Sequence, residues 1–555
     1  MVPTESTSHT ILIRKYINPT LPLIELTQLS PTMAEQRKLR TPLRWTWYQG
    51  HTPVWPQEPD IAAVKSLARQ HLQSDINTTI EEDLLDVSFF AEGGFNKLYQ
   101  ITYHDHQPSY LLRVALPVDP YLKTESEVAT IAFLRAQTSM PAPRIIAWQS
   151  NRNGELGFEW ILMEKIQGVP MCDVWRKIPW ERKLVLVEVL AGFIKEMQDQ
   201  KFDSIGALYF KSALENIGGK RINAMAHDSS TDVVAADEKP DISDQKQDSD
   251  TRESLVSTGF ESLQLHGSSS EDSNRLKPVL ESIANTPQAK PTLAGHIGKD
   301  DFAIGQLLDG LFIIRGRLYI SGDRGPYSNP IQWLSALIHM ELEWIKKYQT
   351  EGDDEYDSDL VEESPTMTSL CHEYLGILPV LFAEEKNGFS CMLDHCDLNP
   401  ANILVNPETF NITGIVDWEM VNVVPHWKAE DHPVFMQDIE PFDEEEPPIP
   451  SYEDEEDCAV YARDRWDNRL LRRHWDDTMK SLRSVAENDV HAPEDAVKSN
   501  LKRECLQQIP NLSDMWNRAQ RWMKEYKSSK DSLDNEHGSE ARDEACGEEQ
   551  EKISA

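Results

Sequence analysis

The sequence predicts an α+β protein of two lobes, the first a five-stranded antiparallel sheet with one helix and the second mainly helical. Three observations carry that reading. Between Leu84 and Ile166, five short runs of branched and aromatic residues are separated by turn residues, with one helical pattern between the third run and the fourth. After Gln167-Gly168 the apolar spacing changes to that of helices. Inside the helical half, the stretch LDHCDLNPANILVNPETFNITGIVDWE, Leu393 to Glu419, sets polar residues around two β-prone runs.

The elements follow in order. Residues 1–50 read as an N-terminal extension, whose first 24 residues hold one acid, Glu5, beside Arg14, Lys15 and many Ser and Thr. That composition suits either a mitochondrial presequence or an ordinary disordered N-terminus, so the expected location is mitochondrial and otherwise cytoplasmic. Residues 51–167 form the first lobe. LLDVSFF, KLYQITY and YLLRVALP make a three-stranded meander, with the Gly-rich AEGGFN between the first two; RIIAW and FEWILMEKI add two strands around NRNGELG. The helix is Lys123 to Gln137, with Val128, Ile131 and Leu134 on one face, and MPAPR ends it.

Residues 168–217 begin the second lobe with a helix over Glu181 to Gln198. Residues 218–295 are rich in Ser, Asp, Gln and Lys and poor in aromatics, a composition that cannot offset its ordering entropy and predicts a disordered insertion. The second lobe resumes over 296–527, with helices at Ile331 to Tyr348, Thr366 to Glu385, around Val460 to Ser484, and Leu512 to Tyr526. Within it, Asp438 to Asp457 carries eleven carboxylates, several prolines and no Lys or Arg, the pattern of a solvated acidic loop. Residues 528–555 read as a disordered acidic tail.

A chain of 555 residues has room for large cores, and a formal charge of −38 argues against a nucleic-acid backbone or an anionic membrane as main partner. No apolar run is long enough for a membrane span. Seven cysteines without a CxxC pair suit a reducing compartment, and Cys391, His395 and Cys396 have no common zinc spacing.

The chemistry lies in the stretch from Leu393. Ile403–Val405 and Ile412–Val416 read as a hairpin around Asn406-Pro407-Glu408-Thr409, with Asp397 and Asn402 on the loop leading in and Asp417 just after the second strand. Folding can therefore bring the three together. Phosphoryl transfer needs a base near the attacking hydroxyl, metal ions on phosphate oxygens and cations along the phosphates. Asp397 can be the base, while Asn402 and Asp417 offer a neutral and an anionic oxygen to Mg²⁺. His395 is expected to brace the loop.

A β-lobe with a Gly-rich turn, a basic residue on its third strand, a Glu on the next helix, then HCDLNPANILV and GIVDWE, resembles the aminoglycoside phosphotransferase and choline kinase family. FDSIGALY and GDRGPYSNPIQW resemble its fungal subgroup linked to inheritance of mitochondria. The resemblance spans about Leu84 to Trp427 discontinuously. It implies a protein-kinase-like fold with ATP and Mg²⁺ as cofactors and a small-molecule hydroxyl as acceptor, Asp397 as catalytic base, and Asn402 and Asp417 on magnesium. Gly93 and Gly94 would cover the ATP phosphates, Arg113 and Glu127 would form an ion pair, and the linker at Glu164 to Ile166 would take adenine against its backbone. The family often has Lys where this chain has Arg113, a fork in place of a point charge. The competing reading is a pseudokinase that keeps the fold and scaffolds or binds nucleotide without transfer. The acceptor's identity and any protein partner have no signature in the sequence.

Overall fold

The computed structural model of the chain describes residues 45–46, 52–76, 79–81, 84–103, 106–215, 298–314, 316–351, 358–387, 389–437, 446–448, 458–486 and 493–529. The insertion expected at 218–295, nearly all of the N-terminal extension and of the acidic tail, and the acidic run 438–457 apart from 446–448 lie outside the described residues.

The first lobe opens with a helix that the apolar pattern did not single out, α1, Ile61–Asp75. Asp60 caps it by accepting the N–H of Ala62 at 2.9 Å, and Ala63, Val64, Ala68 and Leu72 form its buried face. The strands are β1 (Leu85–Glu92), β2 (Asn96–Tyr103) and β3 (His106–Ala115), then helix α2 (Leu122–Gln137), then β4 (Ile145–Gln149) and β5 (Glu159–Glu164). They form one antiparallel sheet in the order β1-β2-β3-β5-β4. Side chains alternate across it. Tyr99, Ile101, Leu112, Val114 and Leu162 meet α1 on one face, whereas Leu98, Leu111, Ile161 and Met163 join the core shared with α2 on the other.

Helix α2 is buried from Leu122 through Leu134, charged residues included, because a second sheet closes its far side. That sheet belongs to the second lobe. After β6 (Val169–Pro170) and helix α3 (Trp180–Gln198), β7 (Gly206–Phe210) pairs with β8 (Phe302–Gly305), Phe210 opposite Phe302. Phe133 of α2 meets the Phe302 ring edge-on at 5.3 Å and Phe202 at 5.7 Å. Burying each such ring contributes ~1.5–3 kcal/mol, so the lobes are joined by a core and not merely by their linker. The N–H of Ile415 donating to the carbonyl of Pro141 at 3.1 Å is a backbone link between them.

Helices α4 (Pro330–Glu351) and α5 (Ser358–Leu381) pack beneath. The second begins earlier than its spacing suggested and contains Pro365 and Pro379. Four short strands follow: β9 (Cys391–Asp394), β10 (Ile403–Val405), β11 (Ile412–Ile415) and β12 (Asn422–Pro425). β9 and β12 complete the sheet β8-β7-β12-β9, while β10 and β11 form the expected hairpin, extended by β6 in the order β11-β10-β6. Helices α6 (Cys458–Ala486), α7 (Pro493–Gln508) and a last helical stretch over 516–529 finish the described chain. No helix among the described residues is long and apolar enough to cross a membrane.

Candidate functional site

The loop between β9 and β10 is held from below. His395 is 2% exposed; its Nε2 donates to the carbonyl of Val416 at 3.0 Å, and its ring lies 4.6 Å from that of Trp418. A brace on this loop is the role its position suggested. Trp418 is fixed in turn by donating Nε1–H to the carbonyl of Ile415 at 2.8 Å. Cys396 turns the chain with φ of 63°, leaving Asp397 exposed at the loop's crest.

Both oxygens of Asp397 are oriented by amides: Oδ1 accepts from Asn399 Nδ2 at 2.9 Å and Oδ2 from Asn402 Nδ2 at 3.2 Å. The same Asn402 nitrogen donates to the Asp397 carbonyl at 2.9 Å. With its nitrogen committed, Asn402 presents Oδ1, which is buried and accepts no hydrogen bond among the described residues. An orphaned buried amide oxygen is costly unless something satisfies it. The carbonyl of Asn402 accepts the N–H of Val416 at 2.9 Å, so the residue next in line, Asp417, stands beside it. Asp417 is 7% exposed and has φ of 67°, a conformation Asp tolerates better than most residues.

Asn402 thus holds Asp397 through its side chain and, through the hairpin's backbone, lies next to the chain segment that ends in Asp417. An amide oxygen and a carboxylate are the donor types that suit a hard divalent cation. No group of three or more His, Cys, Asp or Glu arranged for a metal occurs among the described residues.

Facing this loop is the first lobe. Gly93 and Gly94 make the turn between β1 and β2, where the N–H of Gly93 donates to the carbonyl of Asn96 at 2.9 Å. Arg113 on β3 is fully buried, with Nη1 2.7 Å from Glu127 Oε2 on α2. Its other arm meets Glu419 Oε2. Burial alone would lower its pKa, but Glu127, Glu419 and Asp417 together hold it above the ordinary arginine value. Position in the sequence left two partners of this group out. Lys123 Nζ is 2.7 Å from Glu419 Oε2 and donates to Asn96 Oδ1 at 3.1 Å, and Asn96 Nδ2 donates to both Glu419 oxygens at 2.9 and 3.0 Å. The readable signal was spacing, since Lys123 and Glu127 stand four apart and share a helix face. Glu419 comes from the hairpin's exit, so only the closed fold places it here.

Glu164 and Ile166 lie on the linker, apart from these groups. Glu164 is paired through its side chain with Arg144 Nε at 2.9 Å, and its N–H donates to the Arg144 carbonyl at 3.1 Å. The N–H of Lys165 donates to the carbonyl of Ser109 at 2.8 Å, whereas that of Ile166 has no protein acceptor among the described residues. A cleft of about 590 Å³ beside the linker is lined by Arg135, Arg144, Glu164, Lys165 and Ile166 among others, and includes none of the three catalytic-loop candidates.

Comparison with known proteins finds partial likenesses. Residues 86–213 match the model of the phosphotransferase enzyme family, and the described fold is α+β, an antiparallel five-stranded sheet followed by a mainly helical region. Among curated proteins, the chain is 24% identical over 357 residues to a subtelomeric hrmA-associated cluster protein of Aspergillus fumigatus, a match covering 63% of this chain and 60% of that protein. It is 29% identical over 142 residues to altered inheritance of mitochondria protein 9, mitochondrial, of Meyerozyma guilliermondii, covering 25% of this chain and 23% of that one. The match therefore spans less than two thirds of either relative. A solved putative aminoglycoside phosphotransferase of Ralstonia eutropha aligns with a TM-score of 0.35 at 11% identity, covering 84% of this chain and 99% of that one.

Proposed function

We propose that the chain is a magnesium-dependent phosphotransferase that moves the γ-phosphate of ATP to a hydroxyl of a small molecule. The observation that carries the reading is the buried Oδ1 of Asn402, without a hydrogen-bond partner among the described residues, on the residue that steadies Asp397 and whose carbonyl accepts the N–H of Val416, next in the chain to Asp417. Asn402 Oδ1 and Asp417 would hold magnesium, which when bound neutralises phosphate charge. Asp397 orients the acceptor hydroxyl and takes its proton as the new O–P bond forms and the bond to the β–γ bridging oxygen breaks, releasing ADP. The Gly93-Gly94 turn covers the phosphates and the open N–H of Ile166 meets the adenine edge. The match of residues 86–213 to the phosphotransferase enzyme family supports phosphate transfer. The presequence-like N-terminus and the relatives named mitochondrial support a mitochondrial location.

The second reading, a nucleotide-binding scaffold without transfer, draws on one observation: carboxylates already engage both arms of Arg113. Two measurements separate them. Thermal unfolding with MgATP should show a rise in transition temperature, equivalent to about 2.7 kcal/mol at a hundred times Kd, that is lost in Asp417→Ala. Wild-type phosphate release or transfer should fall by about 10²–10⁴ in Asp397→Ala. A thermal rise with equal turnover in both forms would leave the scaffold standing.

A further inference from the structure

The buried charge cluster between the Gly-rich turn and the hairpin exit holds more than the ion pair of Arg113 with Glu127. Glu419 receives donors from three separate elements of the first lobe: Asn96 at the start of β2, Arg113 on β3 and Lys123 on α2. These donors converge where an anion would sit, directly after the glycine turn and beside Asp417, whose charge acts on Arg113. One guanidinium, one ammonium and one amide converging on two carboxylate oxygens reproduce the donor set that a phosphate group takes. Arg113 also keeps Glu127 on its other arm, so its fork is fixed in place and cannot by itself follow a phosphate. Lys123 has the compact, rotatable charge that the third strand lacks.

We propose that Asn96, Lys123 and Arg113 form the anchoring site for a phosphate of the nucleotide, with Lys123 as its mobile cation, and that Glu419 occupies that site in the nucleotide-free protein. The inference rests on the phosphotransferase reading and deepens it. Glu419 is 9% exposed at its side chain and hangs from the loop after Asp417, so it leaves the cluster by rotating its own side chain, without moving either sheet. The incoming phosphate then replaces one carboxylate on the same three donors. Affinity for nucleotide is thereby set by competition between an internal carboxylate and the ligand.

The test is ATP binding to the full chain by calorimetry, without magnesium, so that any effect on the metal stays out of the reading. Glu419→Gln keeps the shape and removes the competing charge, and it should tighten binding by about tenfold, a change of about 1.4 kcal/mol. Adding Lys123→Met to that variant should cancel the gain. Unchanged or weaker binding by a folded Glu419→Gln protein overturns the proposal and leaves Glu419 as a clasp between lobes. No ATP binding by wild type or variant, with or without magnesium, overturns the phosphotransferase reading instead.

A measurement on the unaltered protein does not depend on how the variants fold. An ATP acyl phosphate carries a mixed anhydride at its terminal phosphate; a lysine amine within reach attacks the acyl carbon, an amide forms, ATP leaves and the amine proton passes to solvent. Peptide mapping should find the acyl group on Lys123 and find it suppressed by excess ATP. Acylation confined to Lys97 or Lys165 overturns the assignment.

Discussion

Arg113 shows how little a single side chain can do alone. Its guanidinium has no exposure, and its charge is tolerated only because Glu127 and Glu419 flank it. Removing one partner of a buried pair leaves the other uncompensated, which typically costs about 3–5 kcal/mol. Arg113→Met is therefore expected to lower stability by that amount, measured by urea unfolding, with Glu127→Gln in the same background recovering part of it. Recovery would show that the loss came from a stranded carboxylate and not from lost packing. Asp397 differs in kind: it is exposed and, among the described residues, its carboxylate is held by the amides of Asn399 and Asn402. Asp397→Asn should leave the unfolding free energy within about 0.5 kcal/mol of wild type, the usual range for surface positions, while lowering transfer by about 10²–10⁴.

Helix α2 is the element on which the two lobes meet, and its burial has a consequence for pH. At its start, the N–H of Tyr121 donates to Glu159 Oε1 at 2.7 Å and Thr124 Oγ1 donates to Oε2 at 2.6 Å. Burial outweighs these bonds and pushes the Glu159 pKa up to about 7. A carboxyl whose folded pKa is above its unfolded value binds more protons folded than unfolded between the two. Stability contributed by the protonated form is present at low pH and is lost as pH rises from about 4.5 to about 7. Glu159→Gln, whose oxygen can accept from Tyr121 and whose nitrogen can donate to Thr124, should flatten that part of the stability profile, measured by denaturant unfolding from pH 5 to pH 8.

The linker element has its own constraint. Gly168 has φ of 144°, and a Cβ there would meet Thr413 Oγ1 at 2.5 Å and the Val405 carbonyl at 2.9 Å. Gly168→Ala should destabilise by about 1–3 kcal/mol, because both the backbone conformation and the close approach of β6 to the hairpin exclude a side chain.

At the scale of the whole molecule, a core shared by both lobes makes them one cooperative unit. Buried pairs far from the candidate site add to it: Arg317 on Glu341 at 2.8 Å joins α4 to the turn before it, and Trp427 donates to Glu385 at 3.1 Å while that residue also pairs with Lys502 of α7. The strands flanking the 218–295 segment are registered on each other, Phe210 opposite Phe302 and Ala207 opposite Gly305, so their pairing is specified within the described residues. Replacing 218–295, whose composition predicts a disordered insertion, by about ten Gly and Ser residues should therefore leave a single unfolding transition at or slightly above that of wild type, since shortening the connection between Phe210 and Phe302 about fourfold lowers its closure cost by about 1.2 kcal/mol. Calorimetry checks this, and a large fall in the transition would mean that the segment contributes to the core.

The sequence alone determined the five strands, the helix expected over Lys123–Gln137 and found at Leu122–Gln137, and the hairpin that follows Asp397 and Asn402 and precedes Asp417, because each depends on short-range periodicity or on turns only a few residues long. Helix α1 escaped that reading. Its buried face, Ala63, Val64, Ala68 and Leu72, is made largely of small residues, which give little contrast until the sheet they cover is known. Only the tertiary structure decided that Lys123 and Glu125 of a charged helix would be buried, and that Glu419 would join Asn96, Arg113 and Lys123 from about 300 residues away. The reason is physical: a polar residue on a helix face reads as solvated by default, and what overrides the default is a second sheet closing over it, which local spacing does not encode.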